Sequence, residues 1–167
     1  ETTESPTSVI ITASLEFWDM DEYIYQIGIS GGEQQPGNVL EYIGLEPNSE
    51  NNILVVLTSN TGETDTVNVS FTTTALELTT LPARLTSESS AILLANTNMS
   101  DSETSCGFEF RRTAASDAVP SQIIGCPVAN GSMAVKVKNL HAGIEYKYRP
   151  FYTSATGNTY YRSEERR

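Results

Sequence analysis

Cys106 and Cys126 are the only cysteines and His141 the only histidine, so any thiol, metal or general-base chemistry must pass through these three positions. Cys106 opens one predicted strand and Cys126 lies near the end of the next, so a hairpin would bring them together. The favoured reading is a cross-strand disulfide, with two buried free thiols as the other. A bond closing this loop would stabilise the fold by roughly 3 kcal/mol through the entropy of the unfolded chain, and would place the chain in an oxidising compartment. Two thiols without an accompanying histidine or carboxylate cluster make a poor zinc site. A Ser-His-Asp or Cys-His mechanism would need His141, which precedes Ala142-Gly143 in a turn and reads as a solvated loop residue.

Asp19, Asp21 and Glu22 form the tightest acidic group, in a loop beside Trp18 and Tyr23. Alternate carboxylates in a loop can converge on Ca²⁺, but the ion takes six to eight oxygens, and the glycine and distant glutamate of an EF-hand are missing. A solvated acidic loop is the simpler reading. Phe17, Trp18, Tyr23, Tyr25 and Tyr42, with Tyr160 and Tyr161 in the second half, are the candidates for a sugar- or peptide-stacking surface. Aromatics at alternate strand positions more commonly pack a core or a sheet face. Nothing in the chain has the spacing of a cofactor motif. N-x-Ser/Thr sequons fall at Asn68, Asn98 and Asn130, and would accept glycans in a eukaryotic secreted chain.

The elements that must position these residues read as strands. Of 167 residues, 38 are Ser or Thr and only 19% are charged, so the polarity comes largely from hydroxyls, which favours strands and turns over helices. No apolar run approaches the 18 residues of a membrane-spanning helix. Met20 is the first methionine, so the chain is expected to be a processed or excised piece of something longer. Residues 1–75 hold 12 Asp and Glu and no Lys or Arg, whereas residues 76–167 hold 9 acidic and 10 basic residues, for a total of −11. So abrupt a change predicts a domain boundary near Ala75. An all-acidic first half repels phosphate backbones and anionic headgroups, which argues against nucleic acid and membrane surfaces as partners.

Runs rich in β-branched and aromatic residues, separated by Gly, Asn, Pro and Ser clusters, predict strands at Ser8–Leu15, Glu22–Ile29, Asn38–Gly44, Asn52–Ser59 and Asp65–Thr73. In the second half they fall at Leu76–Leu85, Ser90–Asn96, Cys106–Arg112, Gln122–Val128, Met133–Lys138, Glu145–Thr153 and Thr159–Ser163. In the penultimate run Tyr146, Tyr148, Pro150 and Tyr152 share one face, and Glu145, Lys147, Arg149 and Phe151 the other. Thr58-Ser59-Asn60-Thr61-Gly62-Glu63-Thr64 recurs as Thr153-Ser154-Ala155-Thr156-Gly157-Asn158-Thr159, and Leu45 and Leu140 precede the two copies at the same offset of 95. Two copies of one strand-turn-strand unit predict tandem domains.

With Leu140, the turn that follows it and Tyr146 six residues on, the second half resembles a fibronectin type III module, in which such a tyrosine caps a corner with its hydroxyl. In the first half Leu45 and Pro47 remain, but Asn51 stands at the tyrosine position and few residues precede Ser8. The resemblance implies an all-β fold of two tandem antiparallel β-sandwiches: a degenerate or truncated module over 1–75 and a fuller one over 76–167. It also implies that Trp18 fills the first core and that His141 is an exposed turn residue. Ser105–Arg112, Cys126-Pro127-Val128, Tyr146–Tyr152 and Gly157–Tyr161 are similar to modules of secreted or surface proteins of gut Bacteroidetes. That likeness implies a non-enzymatic, exported spacer, adhesion or binding module of a larger cell-surface protein, with a protein or glycan partner. The competing expectation is a carbohydrate-binding accessory module of a glycan-degrading system, using Trp18 and its neighbours. A third, a eukaryotic receptor ectodomain, requires glycans on Asn68, Asn98 or Asn130.

Overall fold

The computed structural model describes residues 1–13, 25–114 and 120–162. The first half forms β1 (Thr2–Glu4), β2 (Ser8–Thr12), β3 (Tyr25–Ile29), β4 (Gln34–Pro36), β5 (Val39–Ile43), β6 (Glu50–Ser59) and β7 (Thr64–Thr72). They make two antiparallel sheets, in the orders β1-β2-β5 and β4-β3-β6-β7. The second half forms β8 (Leu78–Ser87), β9 (Ser90–Thr97), β10 (Cys106–Arg112), β11 (Gln122–Gly125), β12 (Val128–Ala129), β13 (Ser132–Val137), β14 (Tyr146–Thr153) and β15 (Thr159–Tyr161). Its sheets run β12-β13-β9-β8 and β11-β10-β14-β15. The fold is thus all-β, two tandem antiparallel sandwiches with Greek-key strand order, and no helix occurs among the described residues.

Each sandwich closes over its own core because alternate residues of both sheets turn inward. In the first, Val9, Ile11 and Leu40 from one sheet meet Ile27, Leu57 and Phe71 from the other. In the second, Leu93, Met133 and Val137 meet Phe108, Phe110 and Tyr152. The expected alternation in β14 is present: Pro150 and Tyr152 are buried and Tyr148 packs against the core, while Arg149 points outward to Glu109 at 2.7 Å.

The repeat is a repeat of geometry. Ser59 N–H bonds the Glu63 carbonyl at 2.8 Å and Ser154 N–H the Asn158 carbonyl at 2.9 Å, while Ser59–Thr61 and Ser154–Thr156 hydroxyl pairs lie at 2.7 and 2.8 Å. Gly62 and Gly157 hold φ of 85° and 91°, the left-handed conformation these hairpins require. The corners before β6 and β14 match as well: Leu45 N–H donates to Thr7 and Leu140 N–H to Ser89, both at 2.9 Å.

The two corners are closed by different chemistry. Tyr146 accepts the His141 N–H on its hydroxyl at 3.1 Å, as the resemblance implied. In the first sandwich, buried Thr73 supplies the closure: its hydroxyl donates to the Glu46 carbonyl at 2.6 Å and accepts from Ser49 N–H at 3.0 Å. Asn51 adds a bond from its amide to the Ser49 carbonyl at 3.0 Å.

One predicted strand divides. Gln122–Val128 is two strands, because the chain leaves one sheet at Gly125 and joins the other at Val128. Pro127, with no N–H to give a ladder, sits at the crossing.

Candidate functional site

The most developed polar constellation lies where the sandwiches meet. The β5–β6 corner of the first carries Gly44, Leu45 and Glu46, and the β14–β15 hairpin of the second is laid against it. Ala155 N–H donates to the Gly44 carbonyl at 2.8 Å. Gly44 holds φ of 83°, and a Cβ built there would lie 3.1 Å from the Ala155 methyl, so backbone approach and turn conformation both favour glycine. Tyr152, fully buried in the second core, donates a hydrogen bond from its hydroxyl to the Leu45 carbonyl at 2.7 Å.

Two carboxylates of the first sandwich complete the joint. Glu46 Oε1 accepts from the Thr156 hydroxyl at 2.6 Å and from the Asn158 amide. Glu41, on β5, accepts from the Ser100 hydroxyl on Oε1 and from the Ser102 hydroxyl on Oε2, both at 2.8 Å. These serines belong to the β9–β10 loop, whose Asn98 clasps the connecting segment from both sides. The Asn98 amide donates to the Ala75 carbonyl and its oxygen accepts the Glu77 N–H, each at 2.9 Å. The same loop buries Glu103, 1% exposed, with Oε1 accepting the Thr104 and Ser105 N–H groups at 3.0 Å.

The bonds from Thr156 and then Asn158 favour the charged form of Glu46 and hold its pKa below the usual 4.5. A depressed carboxylate strengthens the joint above its ordinary pKa, and that contribution disappears as pH falls through the lowered one. Acidification is therefore expected to release the Thr156 and Asn158 contacts while both cores stay folded. NMR shifts of the Thr156 and Asn158 amides, followed against pH, check this. In Glu46→Ala those shifts should already stand near their acid positions at neutral pH, and wild-type values in the variant would refute the assignment.

The expected disulfide is absent. Cys106 and Cys126 are free, buried thiols. Although Cys126 N–H bonds the Cys106 carbonyl at 3.0 Å, the Cys106 sulfur donates to the Cys126 carbonyl at 3.0 Å, and the Cys126 sulfur to the Pro127 carbonyl at 3.5 Å. Cys126 lies just past the end of β11, where the chain leaves the sheet, and each sulfur donates to a carbonyl. Burial first, and then the Glu103 and Cys126 charges, push the Cys106 thiol up to about 12, and burial also raises Cys126. Since the thiolate is the reactive form, native protein at neutral pH should resist iodoacetamide and release two thiols on denaturation. Mass spectrometry that finds no titratable thiol in denaturant would contradict this.

The other sequence candidates distribute as follows. Trp18, Asp19, Asp21, Glu22 and Tyr23, with Phe17, lie outside the described residues. His141 is exposed at the rim of an apolar cleft of about 560 Å³, beside Leu85, Ile144 and Tyr146. Tyr160 stacks on Tyr152 at 6.1 Å, and Tyr161 carries the Arg149 guanidinium over its ring at 3.8 Å, so one face of each ring is already engaged. Of the sequons, Asn98 has its amide committed to the connecting segment, and Asn130 holds φ of 50° in a turn.

Sequence reasoning missed the part that Glu41, Glu46, Asn98, Ser100, Ser102 and Asn158 play in the joint, because each is an ordinary strand, turn or loop residue until its partner more than 20 positions away is known. The signal that was available lies within the repeat, where Glu46 and His141, and Asn158 and Glu63, occupy equivalent places.

No family model and no curated protein matches the sequence. Solved structures similar to the chain include the FN1-FN3 domains of chicken CNTN1, at 14% identity and a TM-score of 0.40 over 97% of this chain and 65% of that one. Another is a two fibronectin type-III domain segment from chicken tenascin, at 11% identity and a TM-score of 0.39 over 97% of this chain and 94% of that one. The chain thus spans 65% of the CNTN1 chain.

Proposed function

We propose that this chain is a non-catalytic, exported spacer or scaffold segment of a larger surface protein, which presents the loops of two sandwiches at a fixed separation and angle. The observation that supports this reading is the joint. Glu41 and Glu46 are each held by two donors from the second sandwich, and a core tyrosine reaches across to Leu45. Relative motion is the default for tandem domains, and these bonds, drawn from two loops and a strand of the second sandwich, oppose it.

Titration of Trp18 fluorescence with host and plant polysaccharides, with and without Ca²⁺, tests the reading. A flat response supports the scaffold. A saturable shift abolished by Trp18→Ala would replace it with the carbohydrate-binding accessory module.

A further inference from the structure

A cleft of about 560 Å³ opens between the sheets of the second sandwich, at the end of β14 away from the joint. Its floor is the core itself, with Leu93, Phe110 and Val137 all buried. Its rim is apolar as well: Leu85 of β8 is 79% exposed and Ile144 45%. A leucine that stands over a path to the core and yet faces solvent marks a layer of packing that the described residues leave open.

The first sandwich fills the corresponding space with its last strand. β7 lies along β6 from Thr64 to Thr72, Phe71 is buried opposite Asn51, and Val69 packs against the same core. At the offset of 95 that relates the two hairpins, Asn51 corresponds to Tyr146, a wall of the cleft, whereas Val69 and Phe71 correspond to Glu164 and Arg166. Residues 163–167 lie outside the described residues, and their sequence, Ser-Glu-Glu-Arg-Arg, supplies no apolar side chain for this space.

The chemistry of the wall selects what can enter. Every side-chain hydroxyl on it is already bonded within the protein: Ser87 and Ser90 to each other at 2.7 Å, Tyr148 to the Leu81 carbonyl, and Tyr146 to the His141 N–H at 3.1 Å. Glu88 and His141, the ionisable groups of the lining besides the two tyrosines, are exposed at the rim. A sugar or a peptide would bury hydroxyls or amides here without new partners, which is unfavourable. Strand addition is disfavoured too, since the edge strand β8 carries Pro82 and two register shifts. An aliphatic chain asks for no hydrogen bond, and the volume lies within the range of small-molecule sites.

We propose that this cleft binds the aliphatic chain of a single small amphiphile such as a fatty acid, with the chain against Leu93, Phe110 and Val137 and the polar end in water at the rim beside His141. The occupant is a monomer and not a bilayer, because the apolar surface is recessed between the sheets and floored by core residues.

NMR titration of the methyl-labelled full chain with octanoate, decanoate and laurate, below micelle formation, tests this. Saturable shifts are expected at Leu85, Leu93, Val137 and Ile144, with the methyls of the first sandwich unmoved. Affinity should rise about tenfold from octanoate to decanoate as two more methylenes are buried. Leu85→Asp should weaken decanoate about tenfold, and Leu54→Asp, at an exposed leucine of the first sandwich, should leave it unchanged. Both side chains are exposed, and circular dichroism confirms folding of each variant. No saturable binding, an affinity independent of chain length, a Leu85→Asp protein that binds like wild type, or retention on phosphatidylcholine vesicles would each overturn the proposal. So would binding that appears only after residues 163–167 are removed, because the chain's own end would then be the occupant. The joint takes no part in this site, so these outcomes leave the spacer reading to its own test.

Discussion

Gly107→Ala lowers the stability of the second sandwich by about 3 kcal/mol, at the upper end of the cost of overpacking a close-packed interior. Gly107 lies in β10, paired to Gly125 of β11, and a Cβ built there would sit 2.2 Å from the Ile124 carbonyl oxygen and 3.0 Å from the Gly125 Cα. Both obstacles are backbone. Neither can move aside without opening the β10–β11 ladder, which is flanked by Cys106 and Phe108 in the core. Gly28, the equivalent residue of the first sandwich, is the control. Its Cβ would meet the Glu33 carbonyl at 2.7 Å, but that oxygen belongs to a turn next to the three-residue strand β4, which can shift. Gly28→Ala should therefore cost less. Urea denaturation of both variants checks the order, and equal losses, or a Gly107→Ala protein as stable as wild type, would show that β11 yields freely.

The second large effect is at Tyr152. Tyr152→Ala empties a fully buried ring site in the second core and removes the bond to Leu45, at an expected cost of about 4 kcal/mol. Tyr152→Phe separates the two contributions. It retains the ring and its stacking on Tyr160, and loses only the hydroxyl that reaches the first sandwich, for about 1 kcal/mol. The phenylalanine variant should also shift amide resonances of Leu45 and Glu46 in the other sandwich while leaving the β9 and β13 shifts in place. If Tyr152→Phe left the first sandwich's spectrum unchanged, the hydroxyl would have no role between the modules.

Much of the fold was legible because strand alternation is a local property. Cys106–Arg112 was read with the bounds the structure has, and the Tyr146–Thr153 face pattern follows directly from a two-residue period. The sheet switch at Cys126-Pro127 was less accessible. A run of apolar residues looks continuous in sequence, and only the missing proline N–H hints that the ladder ends there. The same switch explains why two cysteines that seemed placed for a disulfide each donate to a carbonyl. The short strands Thr2–Glu4 and Gln34–Pro36 carry too few residues to show a period at all.

The joint was not legible residue by residue. Glu46 and Asn158 are 112 positions apart, and a glutamate in a turn ordinarily reads as a solvated surface group. The repeat did contain the information in a relative form. Two copies of one unit agree where the backbone requires it, at Gly62 and Gly157, and differ where each copy faces a different neighbour, at Glu46 and His141. The acidic first half has a partial explanation in the same contact, since Glu41 and Glu46 are two of its carboxylates and both are used as acceptors.

Residual dipolar couplings, measured for backbone amides of both sandwiches in one weakly aligned sample, test the central claim most directly. A joint held by Glu41, Glu46 and Tyr152 predicts that both sets fit a single alignment tensor, with the relative orientation of the structure, at neutral pH and moderate salt. Two tensors of different magnitude would mean that the sandwiches reorient independently, and would contradict the account of a fixed joint.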